Sequence, residues 1–262
     1  MTYDPFPLLR RQSYDLDRNA GVLRSPVLDG LLWLTHGTTT RSFAPPDTGT
    51  LDLMALVRRR LVPGGPRLFC AKQVHGTRIR TIDPARHSGP GSPNPQLPVI
   101  QLPETDALIA AQPGVPIAIQ TADCVPLLLA DVRRKRLAVV HAGWRGSLDR
   151  IAERAVAELE RQGSEPADLV AWIGPAVCGE AYEISAELAD RFRAAFPNLD
   201  GLLSDRRLDL ILLNAHQLSA AGVPGAQIHA ANLCTVRHTD LCYSYRAEGE
   251  QAGRMVTYAM IL

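Results

Sequence analysis

The sequence predicts an α/β (α+β) fold built from layered, mixed β-sheets. Three observations carry this expectation: short apolar, β-rich runs follow one another closely, three stretches show helical periodicity instead, and the two kinds alternate irregularly. Some strands are spaced as in hairpins and others are linked through helices, whereas a doubly wound parallel sheet would alternate the two regularly. With 262 residues, 46% of them hydrophobic, the chain is long enough for one large core or two modest ones.

Strands are expected at Leu31 to Thr35, Arg67 to Ala71, Thr77 to Ile82, Val115 to Gln120, Val125 to Ala130, Leu137 to Val140, Leu169 to Ile173, Gln227 to Ala231 and Met255 to Ile261. Helices are expected at three places. In Ser147 to Gln162, residues Leu148, Ile151, Ala152, Ala155, Val156 and Leu159 share one face. Ser185 to Phe196 is the second, and Leu208 to Ala221 is the third, closed by Gly222 with Pro224 behind it. His87 to Pro103, with five prolines, reads as a surface loop. Because an apolar run resumes at Asp106 to Ala110, this loop decorates one domain, expected to span residues 1–262, more readily than it divides two.

Composition excludes several classes of function. Twenty-eight basic residues against 27 acidic ones give a net charge of +1, so nothing global favours nucleic acid or a membrane surface, and any anion site must be local. The N-terminal MTYDPFPLLRRQSYDLDR mixes charge and proline where a signal peptide needs an apolar run, so a cytoplasmic location is expected. Five cysteines without a CxxC pair predict reduced thiols.

The most informative segment is Val139-Val140-His141-Ala142-Gly143-Trp144-Arg145-Gly146, an apolar strand that ends at a histidine and breaks at glycines around an aromatic and a cation. Lys72-Gln73-Val74-His75-Gly76 repeats the pattern. Between them, Thr121-Ala122-Asp123-Cys124 joins two apolar runs. Taken alone, Cys124 reads as a buried core thiol, but the adjacent Asp123 needs a partner. His75, Cys124 and His141 at three strand ends form a mixed nitrogen and sulfur set that suits zinc with an open fourth position. His36 shares the strand-end context and competes as a ligand, while His87, His216, His229 and His238 read as surface or structural.

The motifs KQVHG at 72–76, TADCVPLLLAD at 121–131, HAGWRG at 141–146, IGP at 173–175, YEIS at 182–185, CYSYR at 242–246 and GRM at 253–255 resemble those of the laccase-domain family. Its members were formerly called multicopper polyphenol oxidases and are now described as purine nucleoside phosphorylases. The resemblance implies a four-layer α/β/β/α sandwich with zinc in a surface cavity, held by His75, Cys124 and His141, and copper as the older assignment. It further implies phosphorolysis of adenosine, inosine, guanosine and methylthioadenosine, and hydrolytic deamination of adenosine.

These reactions place demands on side chains. Deamination needs an acid beside the activated water, and Asp123 is the candidate shuttle, so that Cys124, Asp123 and His141 form the expected catalytic set. The alternative for Asp123 is a turn cap or a carboxylate orienting His141. Phosphorolysis needs cations for phosphate: Arg41, Lys72, Arg145 and Arg246 lie in the matching motifs, with Arg41 and Arg246 favoured. Gln73 and Tyr182 are candidates for base or ribose. Where relatives continue with an SLNL segment, this chain reads SFAPPDTGTLDL, so Asp52 would disfavour phosphate if that segment lines the pocket. Three other readings use the same residues: a copper-dependent phenol oxidase, for which one His, Cys, His set supplies too few ligands; a cysteine hydrolase or amidase acting on peptidoglycan precursors, with Cys124 as nucleophile and His141 as base; and a zinc-stabilised binding module.

Overall fold

The computed structural model describes residues 13–62, 64, 67–85 and 98–262. At its centre lie two large sheets. The first has seven strands in the order β1 (Asp15–Asp17), β2 (Val22–Arg24), β3 (Leu34–Thr39), β15 (Met255–Ile261), β8 (Ile117–Thr121), β4 (Leu68–Ala71) and β6 (Val99–Leu102). The second has six, in the order β14 (Ile228–Ala230), β11 (Leu169–Ile173), β9 (Val125–Asp131), β10 (Arg136–Ala142), β7 (Ala107–Ala110) and β5 (Ile79–Thr81). A two-stranded ribbon, β12 (Leu203–Ser204) and β13 (Arg207–Leu208), stands apart. Both large sheets are mixed, as the sequence predicts: β4 runs parallel to β6 and β8 whereas β15 is antiparallel to β3 and β8, and β11 runs parallel to β14 but antiparallel to β9.

The period-two alternation of side chains sorts the core into three slabs. In β9, Leu127 and Leu129 face helices α4 (Ile151–Arg161) and α6 (Leu210–Ala220), against Ile151, Ala155, Leu159, Leu213 and Leu218. Leu128, Val139 and Trp172 turn the other way and meet Ile117, Ile119, Met255 and Ile261 of the first sheet. On the far side of that sheet, Cys70, Ala118, Val256 and Tyr258 lie under Leu53, Met54 and Val57 of α2 (Thr50–Leu61). The layers are therefore α/β/β/α. Strands covered on both faces lose any polar face, which is why β9 reads as the unbroken run VPLLLAD.

Local chemistry accounts for the helix boundaries. Ser185 caps α5 (Ala186–Ala195) by accepting from the Leu188 amide, and Asp209 caps α6 by accepting from that of Leu212. Gly222, with φ +94°, follows the end of α6 in the left-handed region. The expected helix from Ser147 to Gln162 is two helices, α3 (Trp144–Leu148) and α4, because Arg150 takes φ 62° and ψ 43° between them. Two further short helices are α1 (Pro26–Asp29) and α7 (Tyr245–Glu248).

Other expectations need correction. The first predicted strand lies three residues further on, as β3, and the segment containing Asp52 forms the start of α2. The expected loop from His87 to Pro103 includes β6, whose parallel pairing with β4 holds a short apolar run despite the flanking prolines. Residues 87–97 of that loop, His87 among them, lie outside the described residues. Among the described residues, no helix is long and apolar enough to cross a membrane.

Candidate functional site

The chain crosses from the first sheet to the second between β8 and β9, and the crossing residues are Ala122, Asp123 and Cys124. The β9–β10 register pairs Val125 with Ala142 and Pro126 with His141, so Cys124 emerges beside the end of β10. His75 stands in the turn after β4, at φ 61°. As a result His75, Cys124 and His141 converge, with one ligand atom from each lying within 4.8 Å of the others. The two imidazoles meet edge to face, their centroids 4.9 Å apart. Gly143 makes this approach feasible: a Cβ there would stand 2.9 Å from Cδ2 of His75 and 3.2 Å from Sγ of Cys124.

One buried carboxylate that the sequence reading did not single out binds the arrangement together. Asp106 Oδ1 accepts from Nδ1 of His141 and from the His75 amide, each at 2.9 Å, and Oδ2 accepts from the Gly76 amide at 2.8 Å and the Val74 amide at 3.4 Å. Burial opposes ionisation of Asp106, but the His141 hydrogen bond, the Gly76 and Val74 amides and the His141 charge together hold the carboxyl below its usual range. With Nδ1 donating to a carboxylate, Nε2 of His141 is left as the free ring nitrogen.

Charge follows from these contacts. Burial disfavours charged His141, yet hydrogen bonds to Asp106 and Cys124 and their negative charge push its pKa up to about 9. Burial likewise disfavours the Cys124 thiolate, but hydrogen bonds from His141 and His75, with their charge, bring it down to about 6. By contrast, burial pushes Cys70 and Cys242 up to about 12 and Cys178 up to about 11. In chelator-treated protein, alkylation of Cys124 by iodoacetamide should therefore rise as pH increases through about 6. Peptide mapping at pH 7 should find Cys124 modified ahead of these three thiols; equal labelling would contradict this electrostatic picture.

The cluster opens into a cavity of about 940 Å³. Lys72, Gln73, Asp123, Arg145, Tyr182 and Arg246 line it, so five of the six expected substrate-contacting residues are brought together. Arg41 is not among the lining residues: its guanidinium pairs with Glu248 and lies 4.5 Å over the Tyr243 ring. Asp52 is also outside the lining, in the first turn of α2, where Thr50 reaches the cavity instead. His36 is fully buried, its Nε2 accepting from the Ser25 amide at 3.0 Å and its pKa lowered by burial to about 4, and it is no part of the cluster.

Within the wall, several side chains are already committed. The amide of Gln73 donates to the Gln120 carbonyl at 2.7 Å and accepts from its N–H at 2.8 Å, tying the His75 turn to β8. Asp123, at φ 89°, accepts from Thr235 Oγ1 at 2.5 Å, Ser244 Oγ at 2.7 Å and the Arg246 amide at 2.6 Å. It thus draws the 235–246 segment against the crossing, while Asp106 is the carboxylate that orients His141. The Arg145 guanidinium stacks 4.1 Å over Trp144, and that of Arg246 lies 5.0 Å over Tyr182. Arg254 and Tyr245 also line the cavity. Both sit in the quoted GRM and CYSYR motifs, which is the signal that marks them.

A four-layer α/β/β/α protein with two imidazoles and a thiol gathered at the crossing between its sheets is the class that fold and site define. Residues 41–262 match the family model described as multi-copper polyphenol oxidoreductase laccase, and the chain belongs to that family. It is 40% identical over 152 residues to a purine nucleoside phosphorylase of Deinococcus radiodurans, a match covering 58% of this chain and 59% of that protein. It is 37% identical over 159 residues to adenosine deaminase RL5 of an unknown prokaryotic organism, covering 58% and 60%. The chain thus spans about three-fifths of these relatives' lengths. A purine nucleoside phosphorylase of Xylella fastidiosa (strain Temecula1) is 33% identical over 195 residues, covering 72% of this chain and 70% of that protein. Among solved structures, the Bacillus licheniformis hypothetical protein YfiH and YlmD from Geobacillus stearothermophilus each superpose with a TM-score of 0.80, at 28% and 26% identity, over 95% of this chain and 99% of theirs.

Proposed function

We propose that this protein, acting as one unit over residues 1–262, is a zinc-dependent purine nucleoside enzyme. It cleaves the glycosidic bond of adenosine, inosine, guanosine and methylthioadenosine with phosphate, and it deaminates adenosine by hydrolysis. The observation that carries the proposal is the convergence of His75, Cys124 and His141 in a cavity walled by Tyr182, Tyr245, Trp144 and cations. The names of the relatives supply the purine class. The five cysteines are free, which agrees with a cytoplasmic location.

The donor set fits zinc. Two imidazoles and a thiolate are borderline-soft ligands that leave a fourth position open, and Asp106 holds the His141 ring with Nε2 free. When bound, zinc supplies a Lewis acid that makes water a nucleophile near neutral pH. A single such cluster among the described residues does not fit a multi-copper oxidase.

The chain's own residues account for the rest. Tyr182 and Trp144 present aromatic surface to a base while carrying Arg246 and Arg145 on their faces. These arginines, with Lys72 and Arg254, oppose the charge of phosphate as it attacks C1′ of the ribose and the purine departs. Asp123 holds the wall that carries Arg246. As the only carboxylate among the described lining residues, it is also the protein group that takes a proton from the attacking water and gives it to the C6 amino group, which leaves as ammonia.

Product analysis tests the proposal. With adenosine and phosphate the zinc-loaded protein should release adenine and ribose 1-phosphate, and without phosphate it should release inosine; unchanged adenosine in both would overturn it. Arg254→Ala should raise the KM for phosphate roughly tenfold or more, the cost of one charge-assisted hydrogen bond, with a smaller effect on deamination. Steady-state kinetics at varied phosphate would show this split.

One observation favours a second reading. Cys124, His141 and Asp106 form a thiol, imidazole and carboxylate series, with the thiol pKa near 6, as a metal-free cysteine hydrolase requires. On that reading His75→Ala leaves activity on an amide substrate intact. On the zinc reading it removes a ligand and abolishes turnover of nucleosides.

A further inference from the structure

We propose that Asp106 is the positioning residue of the metal centre, its one carboxylate setting both the free ring nitrogen of His141 and the left-handed turn that presents His75. This rests on the zinc reading above but concerns a residue outside the donor set. Asp106 is fully buried, and it stands at the head of β7, where Val140 pairs with Ala107 and the His141 amide donates to the Asp106 carbonyl at 2.8 Å. The sheet register thus fixes the carboxylate opposite the histidine. Each oxygen serves two donors: His141 Nδ1 and the His75 amide on Oδ1, the Gly76 and Val74 amides on Oδ2.

The second half of this contact is what a single histidine partner would not provide. His75 is a non-glycine residue at φ 61°, a conformation that costs an L-residue energy and needs surrounding contacts to hold it. Three successive amides converging on one anion supply those contacts. The two histidines, far apart in sequence, therefore reach the site as a pair. Losing the charge of Asp106 disorders both at once, while Cys124, fixed by the crossing between the sheets, stays in place.

Asp106→Asn tests this, with zinc itself as the probe. Competition against a chromophoric chelator should give a zinc affinity roughly 10- to 100-fold below wild type. Backbone amide exchange at residues 74–76 should be faster in the variant, with exchange in β9 and β15 unchanged; a purely structural role would loosen those strands as well. Equal zinc affinity in the two proteins overturns the proposal and leaves the zinc reading standing. Failure of wild type to bind zinc overturns the zinc reading itself. Where Asp106→Asn does not fold, metal-free wild type decides by nuclear magnetic resonance: slow exchange at residues 74–76 with the Nδ1 proton of His141 hydrogen-bonded to the Asp106 carboxylate supports the assignment, and rapid exchange without that bond contradicts it.

Discussion

Cys124→Ser should abolish zinc-dependent turnover while leaving the fold intact. The residue sits where the chain passes from β8 of the first sheet to β9 of the second, and its thiol is held near pKa 6 by two imidazoles, ready to serve as a thiolate ligand at neutral pH. A serine hydroxyl remains protonated there and is a poor zinc ligand. Removing one preorganised donor from an active site already costs roughly 10²- to 10³-fold, so losing a metal ligand should cost roughly 10³-fold or more. Stability gives an independent readout: zinc at roughly 1,000 times its dissociation constant stabilises a protein by about 4 kcal/mol. That upward shift of Tm on adding zinc should be present in wild type and absent in Cys124→Ser, with the two metal-free proteins melting together.

Gly143→Ala should separate metal binding from folding more sharply still. At φ −72° and ψ 171°, Gly143 occupies extended backbone that alanine adopts without strain. The added Cβ would instead collide with the His75 and Cys124 side chains, 2.9 Å from the His75 ring and 3.2 Å from the Cys124 sulfur. His75 is exposed, so it can move aside, and in doing so it leaves the ligand position. Zinc affinity should fall roughly 10- to 100-fold, the range seen when ligand placement is disturbed, while the metal-free Tm changes little. At Gly146 the added Cβ would meet the backbone oxygen of Gly76 at 2.9 Å, which cannot move aside cheaply. Gly146→Ala should therefore destabilise the metal-free protein too, by about 1–3 kcal/mol of overpacking, seen as a lower Tm.

The ligands are legible in the sequence because His75 and His141 follow apolar runs and stand next to a small residue, and Cys124 lies in the short joint between two apolar runs, patterns local enough to see without a fold. Asp106 escaped it for the opposite reason. In Thr105-Asp106-Ala107 it reads as a carboxylate opening a strand, and its role depends on the β7–β10 register, which is set by burial on both sheet faces. Arg41 shows the same limit in reverse. Its motif suggested a phosphate contact, but the tertiary fold delivers Glu248 to its guanidinium and Tyr243 beneath it, so its charge is spent away from the cavity. At α2 the periodic Leu53, Met54, Val57 and Leu61 follow a proline- and glycine-rich stretch and begin after Gly49, which supplies no side-chain cap. The helix is held by packing on the first sheet more than by local signals. Layered, mixed sheets were legible because hairpin-spaced and helix-linked strands alternate irregularly, and the resemblance supplied the four layers; the pairing order, a long-range property, was not legible.

The most direct test of the account is adenosine turnover measured against zinc bound per chain. Chelator-treated protein is titrated with zinc, and bound metal and initial rate are recorded at each point. Turnover should be absent without zinc, rise in proportion to bound metal and level off at one zinc per chain. Full turnover by the metal-free protein, or none with one zinc bound, would contradict the claim that His75, Cys124 and His141 form the catalytic metal centre.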